Sequence, residues 1–478
     1  MLHAHPTTKS QLQGGNQFAQ CAVSWAFHTA KLSPFKLVPL WLGLAAAVFN
    51  PAFAANTVGL PALFSQALTH DKTYRAALAQ HEANLQGKPQ ALSAFLPNVA
   101  VNAQLQKEDS DRSAFGQTSN SNSKPKAYSL NLRQALFQPK AWETYQQSEL
   151  ANQASALSVQ NAKQELMLKL AQAYFDVLAA QDTLSTLGTQ KQAITEQLEA
   201  AKRNFEVGTT TVTDQQEAQA RFDLTIAQEL GAQNQLQVAQ LNLQTLIGPA
   251  VPQLAPMDPQ ATIAAPNPMN AESWAAKAIQ GNLQTLQAEL ARQIANREVS
   301  KAQYGHLPTL DLTGQVLDAE QQIFDTATGR PFKVEQESTT LSLVLNVPIF
   351  AGGLTQSQVR QQKALLNKSG FDLDNARLQS ARAAKAAFLG AQTGLAQINA
   401  LSTAVKSSEL ALKANKTGYE VGVRINIDVL NAQQQLASAQ QNLFRAKYDT
   451  LLNLMRLQAA VGQLDEKSLE ELQPVFSK

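Results

Sequence analysis

Cysteine is almost absent from this chain: one in 478 residues, at position 21. Aromatic residues make up only 6% and charged residues 16%. Each scarcity removes a class of function. Cys21 lies in a leader-like segment, so the chain beyond that segment has no disulfide, thiolate nucleophile or thiolate metal site. The leader also holds three of the 39 basic residues and none of the 37 acidic ones, which leaves a mature chain of net charge near −1. That balance excludes nucleic acid as a partner. There is no Gly-rich phosphate loop, no zinc-ligand spacing and no Ser nucleophile with an evident base. His70, His81 and His306 are scattered. Neither a cofactor nor catalysis is expected.

The leader itself is informative. Lys31 and Lys36 precede an apolar stretch over 37–49, and Ala52-Phe53-Ala54 reads as a signal-peptidase site. A membrane anchor is the alternative. The core is short for a span of about 20 residues, however, and Pro39 breaks it. Residues 1–54 are therefore read as a signal peptide. No cysteine follows the cleavage site to carry a lipid, so the chain is exported without a lipid anchor.

The remainder says the same thing twice, about 214 residues apart. Phe205-Glu206-Val207-Gly208 followed by Asp214 returns as Tyr419-Glu420-Val421-Gly422 followed by Asp428. Leu96-Pro97 returns as Leu307-Pro308, and Ile247-Gly248 as Val461-Gly462. A unit this long exceeds the roughly 20–50 residues of solenoid repeats. Two copies are expected, 55–265 and 266–478, joined by a proline-rich extended connector from Pro249 to Pro268.

Each copy has the same internal order. Residues 57–94 have a helical stripe. From Asn98 the period falls to two, with Val99, Val101, Ala103 and Leu105 on one face, and after a polar loop (Lys107 to Pro125) Tyr128, Leu130 and Leu132 repeat it. Leu310, Leu312 and Val316, then Leu341, Leu343 and Leu345, do the same in the second copy. The hairpins, about 97–137 and 308–350, supply four strands of membrane-spanning length. A soluble sheet with one wet face is the alternative.

A heptad seam comes next: Leu166, Leu170, Ala173, Val177, Ala180, Leu184, Leu187, then Ile194, Leu198, Ala201 and Phe205, interrupted at Lys191. It predicts one coiled-coil helix over about 138–207, roughly 100 Å long. Return helices are expected over about 212–248 and 426–461, and a second long helix over about 353–420. Four strands cannot close a barrel, and open edges are not tolerated in lipid. Three chains would supply twelve strands and a helical tube continuous with them.

These residues resemble the TolC-like outer membrane efflux proteins. The resemblance is carried by Gly305-His306-Leu307-Pro308-Thr309-Leu310-Asp311-Leu312-Thr313, by Val347-Pro348-Ile349-Phe350 with Gly352-Gly353, and by the Val207-Gly208 and Val421-Gly422 tips. It spans essentially all of 57–465. It implies a mainly α protein with membrane β-structure: a homotrimeric 12-stranded β-barrel, four strands per chain, continued by an α-helical tunnel into the periplasm. The implied partners are a periplasmic adaptor protein, an inner-membrane pump or ABC exporter, and outer membrane lipid. The implied cargo is drugs or secreted proteins.

The resemblance also assigns roles. Asp214, Tyr419 and Arg424 match a network that holds the periplasmic entrance shut. Asp428 matches a pore-constriction carboxylate. The family often has a second aspartate three residues on, where this chain has Asn431, which predicts weaker cation selectivity. Val207, Gly208, Val421 and Gly422 match adaptor-contact tips. Chemistry alone offers simpler readings: a first-turn acid at a helix N-terminus, a solvated charge, and glycine helix termination. Rival functions are a passive trimeric porin, a coiled-coil adhesin and an exported enzyme.

Overall fold

The computed structural model describes residues 57–114, 116–258, 261–324 and 330–476. The signal-peptide reading lies outside them. Residues 57–94 form three helices rather than one stretch: α1 (Leu60–His70), α2 (Lys72–Leu85) and α3 (Gly87–Ser93). Asp71 makes the first break. Its backbone is extended, and its carboxylate accepts the Tyr74 N–H at 2.6 Å to cap α2.

Strand β1 (Asn98–Leu105) is next, then a ribbon of β2 (Glu108–Ala114) and β3 (Gln117–Ser123), then β4 (Lys126–Phe137). The ribbon corrects the expectation of a polar loop at 107–125. Its two strands pair antiparallel in unbroken register around Gly116, whose φ is +76°. Asp, Ser and Asn fill both faces, so no apolar alternation betrays it, while backbone pairing needs none.

The second copy contributes α6 (Ala271–Gly281), α7 (Leu283–Gln303), β5 (Thr309–Phe324) and β6 (Pro331–Asn346), after α4 (Pro139–Glu206) and α5 (Val212–Ile247) of the first. The four long strands form one antiparallel sheet in the order β1-β4-β5-β6. Direct partners share a face. The register aligns Val101 with Leu130, Leu130 with Val316, and Leu312 with Leu343, so apolar side chains from all four strands share one face, with Gln134, Asp318 and Thr339 interspersed on it. It is uncovered within the protomer: Val101 is 75% and Leu341 72% exposed. On the opposite face the Gln315 amide donates to Asn131 at 3.0 Å, and Arg133 pairs with Asp311 at 3.4 Å.

Helix α4 is unbroken over 68 residues, about 100 Å at 1.5 Å per residue. Along its seam Leu166, Leu170, Ala173, Val177, Ala180, Leu187, Ile194, Leu198 and Ala201 are all buried. α8 (Leu354–Glu420) and α9 (Asn426–Ala460) repeat the pair, and α10 (Glu466–Glu470) closes the helices. The second seam is different in kind. α8 buries Leu373, Ser380, Ala384, Ala387, Phe388 and Ala391 but leaves Phe371, Leu378 and Leu410 exposed. At Gly394 a Cβ would sit 2.2 Å from Thr450 Oγ1, so glycine is what lets α9 approach there.

The main core is a collar around the middle of α4. Phe175 stacks on Tyr448 and on Phe476, and the Tyr174 hydroxyl donates to the Ala255 carbonyl at 3.0 Å. The connector runs through it, forming no helix or sheet among its described residues, and is held by single bridges from Leu254 to Val58 and from Met257 to Phe476. Buried at its edge, the Tyr448 hydroxyl donates to Asp182 at 2.6 Å. Burial raises the pKa of Asp182, while the Tyr448 bond and nearby Lys447 act against that rise. Burial also lowers the pKa of Lys447, against the attraction of Asp258 and Asp182.

Candidate functional site

Strand β4 ends at Phe137 and α4 starts at Pro139, so the sheet and the Gly208 turn lie at opposite ends of a helix about 100 Å long. The expected site residues all fall at the far end. Two turns meet there, each ending a long helix in the same way. Val207 and Val421 are the last residues before a left-handed glycine, Gly208 at φ +76° and Gly422 at φ +78°. The Gly208 N–H donates to Phe205 O and the Thr209 N–H to Asn204 O. In the second copy the Gly422 N–H donates to Tyr419 O and the Val423 N–H to Gly418 O. These are paired Schellman closures, which satisfy the last carbonyls of each helix. Val207 is 72% and Val421 68% exposed.

Beyond the turns the chemistry separates. Thr211 caps α5: its hydroxyl accepts the Asp214 N–H, and Asp214 Oδ2 accepts the Thr211 N–H at 3.1 Å and its hydroxyl at 2.8 Å. This is a capping box. It engages one carboxylate oxygen only. At α9 the same position is Ile425, which has no side chain to cap with. Asp428 therefore answers to Arg424 instead, at 3.6 Å. Arg424 folds back over the end of α8, where a Cβ on Gly418 would meet its Cγ at 2.7 Å.

Tyr419 takes a long hydrogen bond, 3.4 Å, from the Asn204 amide. Asn431 accepts from Arg221 Nη2 at 2.9 Å, and Arg221 Nη1 donates to Gln434. Within one protomer, then, Asp214, Tyr419 and Arg424 are held by separate partners and not by each other. Asp428 and Asn431 follow one another along α9 at i, i+3, the spacing of one helix face. Asn204, Arg221 and Gln434 are contacts that reading the sequence missed. Only Thr211 left a signal, as a hydroxyl three residues before an acid at a helix start. Asn426, first residue of α9, is buried with neither side-chain polar atom bonded.

A family model described as outer membrane efflux protein matches residues 63–249 and 274–463. The chain belongs to that family. It is 31% identical over 449 residues to the outer membrane protein TolC of Escherichia coli (strain K12), covering 93% of this chain and 90% of that protein. It is 30% identical over 427 residues to the alkaline protease secretion protein AprF of Pseudomonas aeruginosa, covering 87% of each. The Campylobacter jejuni CmeC outer membrane channel shares the fold, with a TM-score of 0.73, 18% identity, and 87% of this chain and 90% of that chain covered. The chain is an outer membrane exit duct with a helical tunnel in the periplasm. The family and these relatives are channel and secretion components rather than enzymes.

Proposed function

We propose that three copies pool their strands into a twelve-stranded barrel and their helices into one tunnel. One observation carries this reading: a sheet with a predominantly apolar, exposed face whose outer strands, β1 and β6, each have an edge with no partner among the described residues. In lipid such edges must be closed, and another copy of the same sheet closes them without new chemistry. The duct then couples to a periplasmic adaptor and an inner-membrane pump or ABC exporter, which supplies the energy. Cargo is drugs or secreted proteins, in keeping with relatives such as AprF, named for protease secretion. No observation favours a passive porin.

The tips fit a breakable closure. The Arg424–Asp428 pair is half-exposed, so its contribution is only a few tenths of a kcal/mol. Asp214 Oδ1 is not engaged by its capping box and can accept from Arg424 or Tyr419 of a neighbouring copy. The Asp428 carboxylates would ring the constriction beside Asn431, and the exposed Val207-Gly208 and Val421-Gly422 turns would meet the adaptor.

Single-channel conductance in a planar bilayer tests this. A small resting current that rises several-fold in Arg424→Ala is expected. A large wild-type current that the substitution leaves unchanged would instead describe an open porin and remove the gate.

A further inference from the structure

The clasp between α5 and α9 bears on what the constriction lets through. Arg221 makes two donations across the helices, to Asn431 and to Gln434. Both acceptors are neutral amides. Among the described residues no carboxylate forms an ion pair with Arg221: Asp428, the acid of the same α9 face, is engaged by Arg424, and Glu217, one turn back on α5, makes no ion pair with it. Two amides hold the guanidinium, a cation, against α9. A carboxylate at 431 would neutralise it, whereas Asn431 orients it and leaves the charge intact.

We propose that Arg221 is a selectivity-determining residue: three copies form a positive ring beside the Asp428 carboxylates, making a mixed-charge constriction that passes anionic solutes. This rests on the reading that the exposed face of α9 lines the pore of a trimer. Residues 428 and 431 are separated by about 5 Å along the helix axis, less than the roughly 8 Å over which salt screens a charge, so the two rings act on the same ion. Multivalent cations drawn to the carboxylates meet repulsion one turn away. Anionic cargo meets attraction that an all-acidic ring would deny it. Asn431 is thus half of an arrangement whose other half is an arginine on a different helix.

The test is the reversal potential across a KCl gradient for the purified full chain, comparing wild type with Arg221→Gln, Asn431→Asp and Asp428→Asn. Glutamine can still donate to the two amides but carries no charge. Arg221→Gln should raise the potassium-to-chloride permeability ratio about three-fold or more. Asn431→Asp should move the ratio the same way by neutralising the guanidinium, and serves alone should Arg221→Gln fail to assemble. If Asp428→Asn shifts the ratio while neither other variant does, Arg221 is only a fastening between helices and the inference fails, the pore reading surviving. If no variant shifts it, α9 does not line the constriction, and both fail together.

Discussion

The two tips share a backbone and almost none of their chemistry. Each closes through Val-Gly and a pair of Schellman bonds, with the Thr209 and Val423 N–H groups both 2.8 Å from their carbonyls. At matching positions 214 residues apart, Asn204 stands against Gly418, Thr210 against Arg424, and Thr211 against Ile425. Those three differences, with Phe205 against Tyr419, separate the side-chain chemistry of the two tips. Where Thr211 caps its helix, Asp214 is tied into a capping box. Where Ile425 cannot, Asp428 is left to pair with Arg424. A turn is specified by few positions, so duplication can keep its geometry while the neighbouring side chains take on separate tasks.

The comparison breaks down first at the collar, where the copies are joined across rather than repeated. Asp182 and Tyr448 have Ala396 and Asn234 as their counterparts, so the bond between them has no equivalent. Tyr448→Phe should cost about 1.5–3 kcal/mol in denaturant unfolding at neutral pH, since it removes a bond to a charged acceptor. The sign with pH is set by the raised pKa of Asp182. Its ionised form is the costly one in the folded state, so its contribution to stability is full at low pH and is lost as pH rises through the folded pKa. Removing the Tyr448 donor deepens that loss and raises the pKa further. The variant should therefore approach wild type as pH falls.

At the tips the shared geometry predicts equal effects. Gly208→Ala and Gly422→Ala each force a side chain into the left-handed region, at about 1–2 kcal/mol. A Cβ at either site meets nothing within 4 Å, so strain alone acts and thermal unfolding should rank the two together. A marked inequality would mean that one turn makes contacts in the assembly that the other lacks.

The chemistry, by contrast, should be transferable. Thr211→Ala removes a cap and should destabilise by about 1 kcal/mol. Ile425→Thr should do the reverse by a few tenths of a kcal/mol, giving α9 the cap that α5 has. It should also draw Asp428 toward the new cap and away from Arg424. Resting conductance should then rise, by less than in Arg424→Ala. Unchanged conductance would show that the Arg424–Asp428 pair plays no part in closure.

The α4 seam was legible because each of its positions meets the same demand, burial against a facing helix, at a spacing that helical geometry repeats. Even so, Leu184 is only half-buried and Phe205 is 42% exposed, where the seam reaches the tip. The same reasoning served α8 less well: apart from Leu373 and Phe388, its buried positions are small residues, mostly alanine and serine, which hydropathy barely registers. The β2–β3 ribbon was invisible for the related reason that its sequence carries no apolar alternation. The Arg221 clasp could not be read at all. It joins residues 210 and 213 positions apart, and nothing local to Arg221, Asn431 or Gln434 marks them as partners.

Period, punctuation and duplication belong to the amino-acid order, because they arise from demands that recur every two or every three and a half residues along one segment. They were enough for the four strands of the main sheet, the long helices, the glycine turns and the family. Which polar groups face each other is a different matter. It depends on where separate helices cross and rotate, and a long side chain finds its partner only after the backbone has been fixed by apolar packing elsewhere. So Asp214 and Asp428 are already told apart by the local residues Thr211 and Ile425, whereas the clasp of Arg221 on Asn431 and Gln434 exists only once α5 and α9 have packed.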